Sequence, residues 1–437
     1  MGAQTDPLHE KPLIELPKGK RTLFFVILYG LFMFDFIARI GINTIYPIIQ
    51  EDLQLSDSQV GLAVSVVLFA MAFFVLPNSF LGEKHSIKKG ITLSSLVWGV
   101  GTLLSAAAGN FFVLLGARFC VGIGNAAYAP MSNSMITSLY PKQAWGKQIG
   151  LYDTAMTIGM AIGALLFANF ATLFGWRAAF VAVGVISLLL CVASLALPDP
   201  TKILKERNAA KAKAHPEGKP PVELHMKDAI GVLVKNKSLM GVCLGAAVIS
   251  MISQGTTSWS SIFFVREMHL SMSQMTIIIA VLALSSAAGY PIGGALMDKL
   301  YVKDRRARMF VPVVCVALSM LSFILAYVFL NLIFFFFGGF ILSMAGSSYH
   351  VSTQDLVPSW YKSVAYGVYV VFVQFFGAVG PLLIGTLSEH FGLIIALIFI
   401  QLFNIIPILV FLLTSRTYTK DLDKARAIEK NAQILDV

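Results

Sequence analysis

Apolar residues run along this chain in stretches far longer than a soluble helix needs, cut by short polar punctuation. The stretches fall at 22–48, 58–82, 88–108, 110–140, 144–172 and 176–197, and again at 240–265, 273–299, 308–330, 332–358, 363–388 and 391–414. Each is long enough to cross the hydrocarbon core as a helix, which takes about 20 residues. A helix also satisfies its own backbone polar groups, as the bilayer demands. The pattern predicts an all-α membrane protein with twelve transmembrane helices in two six-helix halves. It divides the chain into an N-terminal segment (1–21), a first bundle (22–197), a linker (198–239), a second bundle (240–414) and a tail (415–437).

Charge then supplies direction. Lys84, Lys88 and Lys89 fall between spans two and three, and Lys142 and Lys147 between four and five. Lys299, Lys303, Arg305, Arg306 and Arg308 fall between eight and nine, and the linker carries many more bases. The opposite loops hold Arg177 and Arg266, and the first of them, Gln50-Glu51-Asp52-Leu53, is acidic. By the positive-inside rule both termini and the linker are expected on the cytoplasmic side. The net charge of +10 is therefore a topology signal, and no nucleic-acid partner is expected. No Asn-x-Ser/Thr sequon falls in a predicted outer loop, which favours a bacterial inner membrane. The first apolar run is full length and follows a polar, basic start, so no cleavable signal peptide is expected. Cys120, Cys191, Cys243 and Cys315 lie in or beside apolar spans without metal-ligand spacing, and read as small buried hydrophobes.

Charges inside the spans carry the chemistry. Asp35, Arg39 and Arg118 sit in hydrophobic stretches of the first third. An ionised group at that depth is costly and usually faces a partner, a cavity or a pathway. Arg39 lies about nine residues from the outer end of span one, roughly 13 Å, and Arg118 about eight from the outer start of span four, roughly 12 Å. Asp35 is one turn deeper than Arg39 on the same face. Asn43 and Tyr46 continue that stripe outward, and Asn125 lies two turns below Arg118. Two readings stand side by side. Asp35 could neutralise one arginine and merely fix helix packing. Alternatively, one acid cannot neutralise two arginines, and the surplus guanidinium offers a forked donor to a small anion such as a carboxylate. The second half contributes polar and aromatic candidates instead: Gln254, Ser258 and Trp259 in span seven, Tyr349, His350 and Gln354 in span ten, and Gln374 in span eleven. Each could equally hydrogen-bond a neighbouring helix.

Several segments resemble the major facilitator superfamily. Gly294-Ala295-Leu296-Met297-Asp298-Lys299 is similar to its signature loop, and Ser79–Ser86 keeps an acid and a base, Glu83 and Lys84, at the matching place in the first half. Leu114-x-x-x-Arg118-x-x-Val121-Gly122-x-Gly124 resembles the span-four signature, and Gly159-x-x-x-Gly163 stands where the span-five signature belongs. Two branches look closest, the organic anion:cation symporters and the spinster-like carriers. Arg39 precedes Pro47 at their spacing, and Arg118 through Asn125, Tyr128 and Pro130 is similar to their span-four run. Ala38 stands where those branches carry Asp, and Asn125 where they carry Glu. Each departure removes a protonatable carboxylate.

The resemblance implies an alternating-access secondary transporter whose site lies between two rocking halves. The candidate substrate contacts are Arg39, Arg118, Asn43, Tyr46, Asn125 and Tyr128 on the helices the resemblance places at the cavity, with the polar and aromatic residues Gln254, Trp259, Tyr349, Gln354 and Gln374 from the second half. Coupling would fall to the remaining titratable groups, Asp35 or His350, and the resemblance implies gating by Glu83, Lys84, Gly294, Asp298 and Lys299. The expected partner is a small organic anion with a coupling proton or counter-anion, handled by a monomer in the bilayer. A spinster-like carrier of lysolipids and a transport-fold receptor are the alternatives. No catalytic constellation, phosphate loop or metal cluster is present in the sequence, so no enzyme activity and no cofactor are expected.

Overall fold

The computed structural model describes residues 12–126, 128–141, 144–204, 206, 231, 233, 235–358 and 362–435; at 76, 80, 83, 84, 347, 350, 362, 363 and 429–435 only the backbone is described. Most of the predicted linker, the gating side chains of Glu83 and Lys84, and the imidazole of His350 therefore lie outside the described residues.

The helices are α1 (Lys18–Ile40), α2 (Tyr46–Asp52), α3 (Asp57–His85), α4 (Ile87–Ala106), α5 (Phe111–Asn125), α6 (Tyr128–Leu139), α7 (Trp145–Phe174) and α8 (Trp176–Ser194). After the linker come α9 (Lys237–Arg266), α10 (Met272–Tyr301), α11 (Ala307–Phe329), α12 (Leu332–Asp355), α13 (Lys362–Phe391), α14 (Leu393–Leu402) and α15 (Ile405–Leu435). Among the described residues, eleven stretches are long and apolar enough to cross a membrane. The one predicted span missing from that set is α4, diluted by Thr92, Ser94, Ser95, Thr102 and Ser105. Ser94, Ser95, Thr102 and Ser105 are buried, and the hydroxyls of Ser95, Thr102 and Ser105 bond back to their own helix.

Two predicted spans are broken where the apolar pattern is continuous. Span one passes from α1 through a 3-10 turn (Gly41–Thr44) into α2. Span twelve breaks between α14 and α15. Each break sits just ahead of a proline in the next first turn: Pro47 and Pro407. Proline lacks the N–H that would continue the ladder, and its ring crowds the carbonyl four residues back. Proline alone does not suffice, since Pro77, Pro291, Pro312 and Pro381 lie inside unbroken helices.

Helix starts follow side-chain capping. Asn110 accepts from the Val113 N–H at 3.0 Å, Asn236 from Leu239 at 3.0 Å, and Ser271 forms a capping box with Gln274. Two corners are made by glycine. Phe174-Gly175-Trp176 and Phe391-Gly392-Leu393 turn with φ of 82° and 83° and ψ of 155° and 156°. That region of backbone space is nearly glycine-only.

The residues group into two units, one from Met1–Leu55 with Val66–Ala214, the other from Ser56–Ser65 with His215–Val437. In the first, Leu28, Leu31, Trp98, Tyr128, Met131, Met135 and Tyr152 form the core. Small residues let its helices touch: a Cβ on Gly124 would lie 2.5 Å from the Trp98 nitrogen, and one on Gly159 would lie 2.6 Å from the Met33 carbonyl oxygen. In the second, Leu239, Val242, Cys243, Val316, Phe411, Tyr418 and Leu422 pack together. Phe335 joins Phe263, Phe264 and Tyr327 in an edge-to-face cluster, while Phe337 is exposed. The start of α3 belongs to this unit because the Arg266 guanidinium grips Asp57 with two bonds of 2.9 Å, and Ser388 donates to the same carboxylate. Cys191, Cys243 and Cys315 are buried free thiols, Cys120 a half-buried one. Among the described residues no group of His, Cys, Asp and Glu could hold a metal ion.

Candidate anion and coupling site

The break after α1 decides where the first-unit charges go. Where α1 gives way to the 3-10 turn, its last carbonyls need donors from elsewhere. Arg118, 1% exposed on α5, supplies them: Nη1 donates to the Ala38 oxygen at 3.2 Å and Nη2 to the Arg39 oxygen at 3.3 Å. Gly116, Gly122 and Gly124 flank this arginine on α5, and a Cβ on Gly122 would lie 2.5 Å from the Val67 oxygen of α3. Arg118 forms no ion pair with Asp35, and its Nε finds no partner.

Arg39 points elsewhere. Its guanidinium lies over the Phe36 ring, 4.3 Å from the centroid, and Nη1 reaches only the Met71 sulfur at 3.4 Å. Its Nε is buried without a partner. The Arg39 side chain is half-buried, and no carboxylate among the described residues is bound to it. Asp35, 4% exposed, has an unpartnered Oδ1. Tyr46 and Asn125 are buried too, and the Tyr46 hydroxyl and both polar atoms of the Asn125 amide lack partners. Tyr128 differs: its hydroxyl donates to the Leu28 oxygen at 2.8 Å. Asn43 is half-buried just past the break.

The second-unit candidates spread more widely. Trp259 is buried and donates Nε1–H to the Pro381 oxygen at 3.0 Å, and Ser258 donates to Gln254 on its own helix. Gln254, Tyr349 and Gln374 are half-buried, whereas Gln354 is exposed. Gly294, Asp298 and Lys299 do not form a loop. They are the last turns of α10, with Asp298 and Lys299 exposed. Periodicity missed one buried polar group here. Gln401, on α14, donates to Thr256 and accepts from Asn404 where span twelve breaks. The signal was an Asn and a Gln three residues apart just before Pro407.

Outside the spans, Asp52 and Asp199 are among the carboxylates that are tied down. Asp52 accepts from Trp176 Nε1 at 3.0 Å and Arg177 Nη1 at 2.8 Å, and these bonds hold its carboxyl below the ordinary aspartate range. For Asp199 partial burial pushes upward, but hydrogen bonds from Ser86 and Thr201 win and hold it low.

Residues 28–381 match the Major Facilitator Superfamily. The chain is 24% identical over 381 residues to a hexuronate transporter of Bacillus subtilis (strain 168), covering 85% of this chain and 88% of that one. It is 24% identical over 421 residues to a probable galactarate/D-glucarate transporter of Escherichia coli (strain K12), covering 88% and 93%. A D-galactonate transporter of Escherichia coli O6:H1 is 21% identical over 91% of this chain and 96% of its own. Among solved structures, a bacterial homolog of the human lysosomal transporter Spinster superposes with a TM-score of 0.79 at 22% identity, covering 93% and 99%. The chain belongs to the Major Facilitator Superfamily: it is a multi-pass membrane transporter and not an enzyme.

Proposed function

We propose that this transporter carries a small organic-acid anion by alternating access, with the substrate carboxylate held by Arg39. The observation that carries the reading is the Arg39 guanidinium itself, in the first span, with a buried unpartnered Nε and no carboxylate among the described residues bound to it. A guanidinium is always charged and presents a planar fork that fits a carboxylate. The relatives named for hexuronate, galactarate, D-glucarate and D-galactonate all handle hydroxylated carboxylates, which supports a sugar acid as the substrate class. The unpartnered Asn125 amide and Tyr46 hydroxyl suit such hydroxyls, since both groups can donate and accept. The distribution of lysines and arginines supports cytoplasmic termini, and the bacterial relatives support a bacterial inner membrane. Nothing in the proposed binding mode calls for a second copy, and the carrier is read as a monomer.

Thermal stability of the purified chain tests this reading with D-glucuronate, D-galactonate and D-glucarate against D-glucose and lysophosphatidylcholine. A ligand at 100 times its Kd adds about 2.7 kcal/mol to the folded state. Stabilisation by the acids alone, lost in Arg39→Ala, is expected. Stabilisation by the lysolipid alone would turn the reading to an amphiphile carrier.

A further inference from the structure

A charged side chain inside span five has no part in the site described above. Asp153 lies on α7, eight residues past its start at Trp145, roughly 12 Å along the helix. It is exposed, and among the described residues no hydrogen bond or ion pair reaches it. The surface of α7 falls into three strips. Tyr152, Ala155, Gly159 and Gly163 are buried. Leu151, Ile158, Ile162 and Leu165 are exposed and apolar, as a face toward lipid would be. Gly146, Gly150, Asp153, Thr157 and Ala161 are exposed, small or polar, and share the remaining face at helical spacing. Glycine contacts set the level of the carboxylate. A Cβ on Gly159 would meet the Met33 oxygen of α1 at 2.6 Å, and one on Gly163 would meet the Ile37 Cα at 3.1 Å. The two helices therefore run in parallel, with residue 159 level with 33. Asp153 is level with Ile27, twelve positions and roughly 18 Å along the axis from Arg39, toward the start of α1.

We propose that Asp153 is a charge filter: a fixed negative charge on a water-facing strip of α7, passed by an anion moving between Arg39 and the side of the membrane on which α1 begins, that discriminates against doubly charged substrates. The inference rests on the anion reading for its substrate and on the α7 surface for its geometry. An unpaired carboxylate facing hydrocarbon is costly, so an ionisable side chain in a span that has no partner faces a water-filled path. In water a carboxyl of this kind is ionised at neutral pH. Low-dielectric walls concentrate its field on whatever shares the path. Coulomb energy scales with the charge that approaches, so a diacid such as D-glucarate meets twice the barrier that D-glucuronate meets. Arg39 alone would favour the more negative substrate. A negative charge on the route sets the opposite preference, and Asp153 is placed to supply it.

Thiol reactivity tests the filter without a substrate. Thr157→Cys, one turn from Asp153 on the same strip, is made with and without Asp153→Asn in the full chain in liposomes. Its rates with a cationic and an anionic membrane-impermeant methanethiosulfonate are each divided by the rate with a free thiol. The wild type gives the background of Cys120, which is half-buried, and of the three buried thiols. Ile158→Cys, on the apolar strip, is the lipid-facing control and should not react. At Thr157→Cys the cationic reagent should be favoured severalfold, and Asp153→Asn should remove the preference. Salt at about 1 M should shrink it, since screening then acts over about 3 Å. No reaction at Thr157→Cys, or a preference unmoved by Asp153→Asn, overturns the proposal. Ala161→Cys, one turn further on, repeats the measurement if Thr157→Cys fails to fold. Substrate charge is then read from initial uptake of D-glucuronate and D-glucarate by everted vesicles, which present the α1-start side to the medium in the orientation proposed above. If Asp153→Asn raises D-glucuronate uptake about threefold, D-glucarate uptake should rise about ninefold, the square. Equal changes for the two anions, or none, overturn discrimination by charge. If the wild type takes up neither anion, the anion reading fails, while the reagent preference still decides whether Asp153 filters charge.

Discussion

Arg118 holds the carbonyl oxygen of Ala38, 80 positions earlier, at 3.2 Å across the core of the first unit. With the parallel bond to the Arg39 oxygen, one guanidinium closes the end of α1 and thereby sets the place from which the Arg39 side chain departs. Arg118 thus acts on the proposed anion site through backbone. Arg118→Lys keeps the charge but cannot span both carbonyls. Leaving one buried acceptor unmade costs about 1–3 kcal/mol. The expected result is a lower thermal midpoint together with weaker D-glucuronate binding. Unchanged binding in a well-folded Arg118→Lys would uncouple the two roles.

Asn125 offers a gain-of-function test. An amide cannot titrate, and both its polar atoms are buried without partners. A carboxyl placed there can gain and lose a proton, which the amide cannot. Asn125→Glu should therefore add a pH slope to uptake of D-glucuronate that the wild type lacks. An unaltered profile in the variant would mean that position 125 does not communicate with the transported anion.

Asp199 predicts an acid-side effect on stability. Its folded-state carboxyl lies below its ordinary range, so its stabilising contribution is present above about pH 4 and is lost as pH falls through the lower folded value. The thermal midpoint of Asp199→Asn should be below wild type at neutral pH. The two curves should converge in acid. Parallel curves would show that the bonds to Ser86 and Thr201 do not distinguish charged from neutral.

The glycine corners can be tested directly. An L-residue held near φ 82°, ψ 155° carries about 1–3 kcal/mol of strain. Gly175→Ala and Gly392→Ala should each lower the thermal midpoint, although neither position has a neighbouring atom within 4 Å that a methyl would strike. An unshifted midpoint would mean the corner relaxes into ordinary backbone space.

Much of this was legible in the chain itself. Runs of apolar residues announce spans because the bilayer leaves the backbone no other solution. Gly122, Gly124, Gly159 and Gly163 announce close helices because nothing larger fits. The partner of Arg118 was not legible. Asp35 looks like its natural counter-ion on a helical projection, yet the break after Ile40 frees carbonyls that compete for the guanidinium. Nor were the breaks: a hydropathy profile does not register a missing N–H, and Pro47 and Pro407 stand at interruptions while four other prolines do not. Glu83 and Lys84 read as a loop, yet their backbone continues α3.

The two corners at Gly175 and Gly392 have a wider consequence. The same bend, with matching angles, follows a phenylalanine at the close of the fifth span in each half. Each corner is therefore an internal control for the other. A change tolerated at one and not at the other must report what surrounds the bend, because the bend itself is shared.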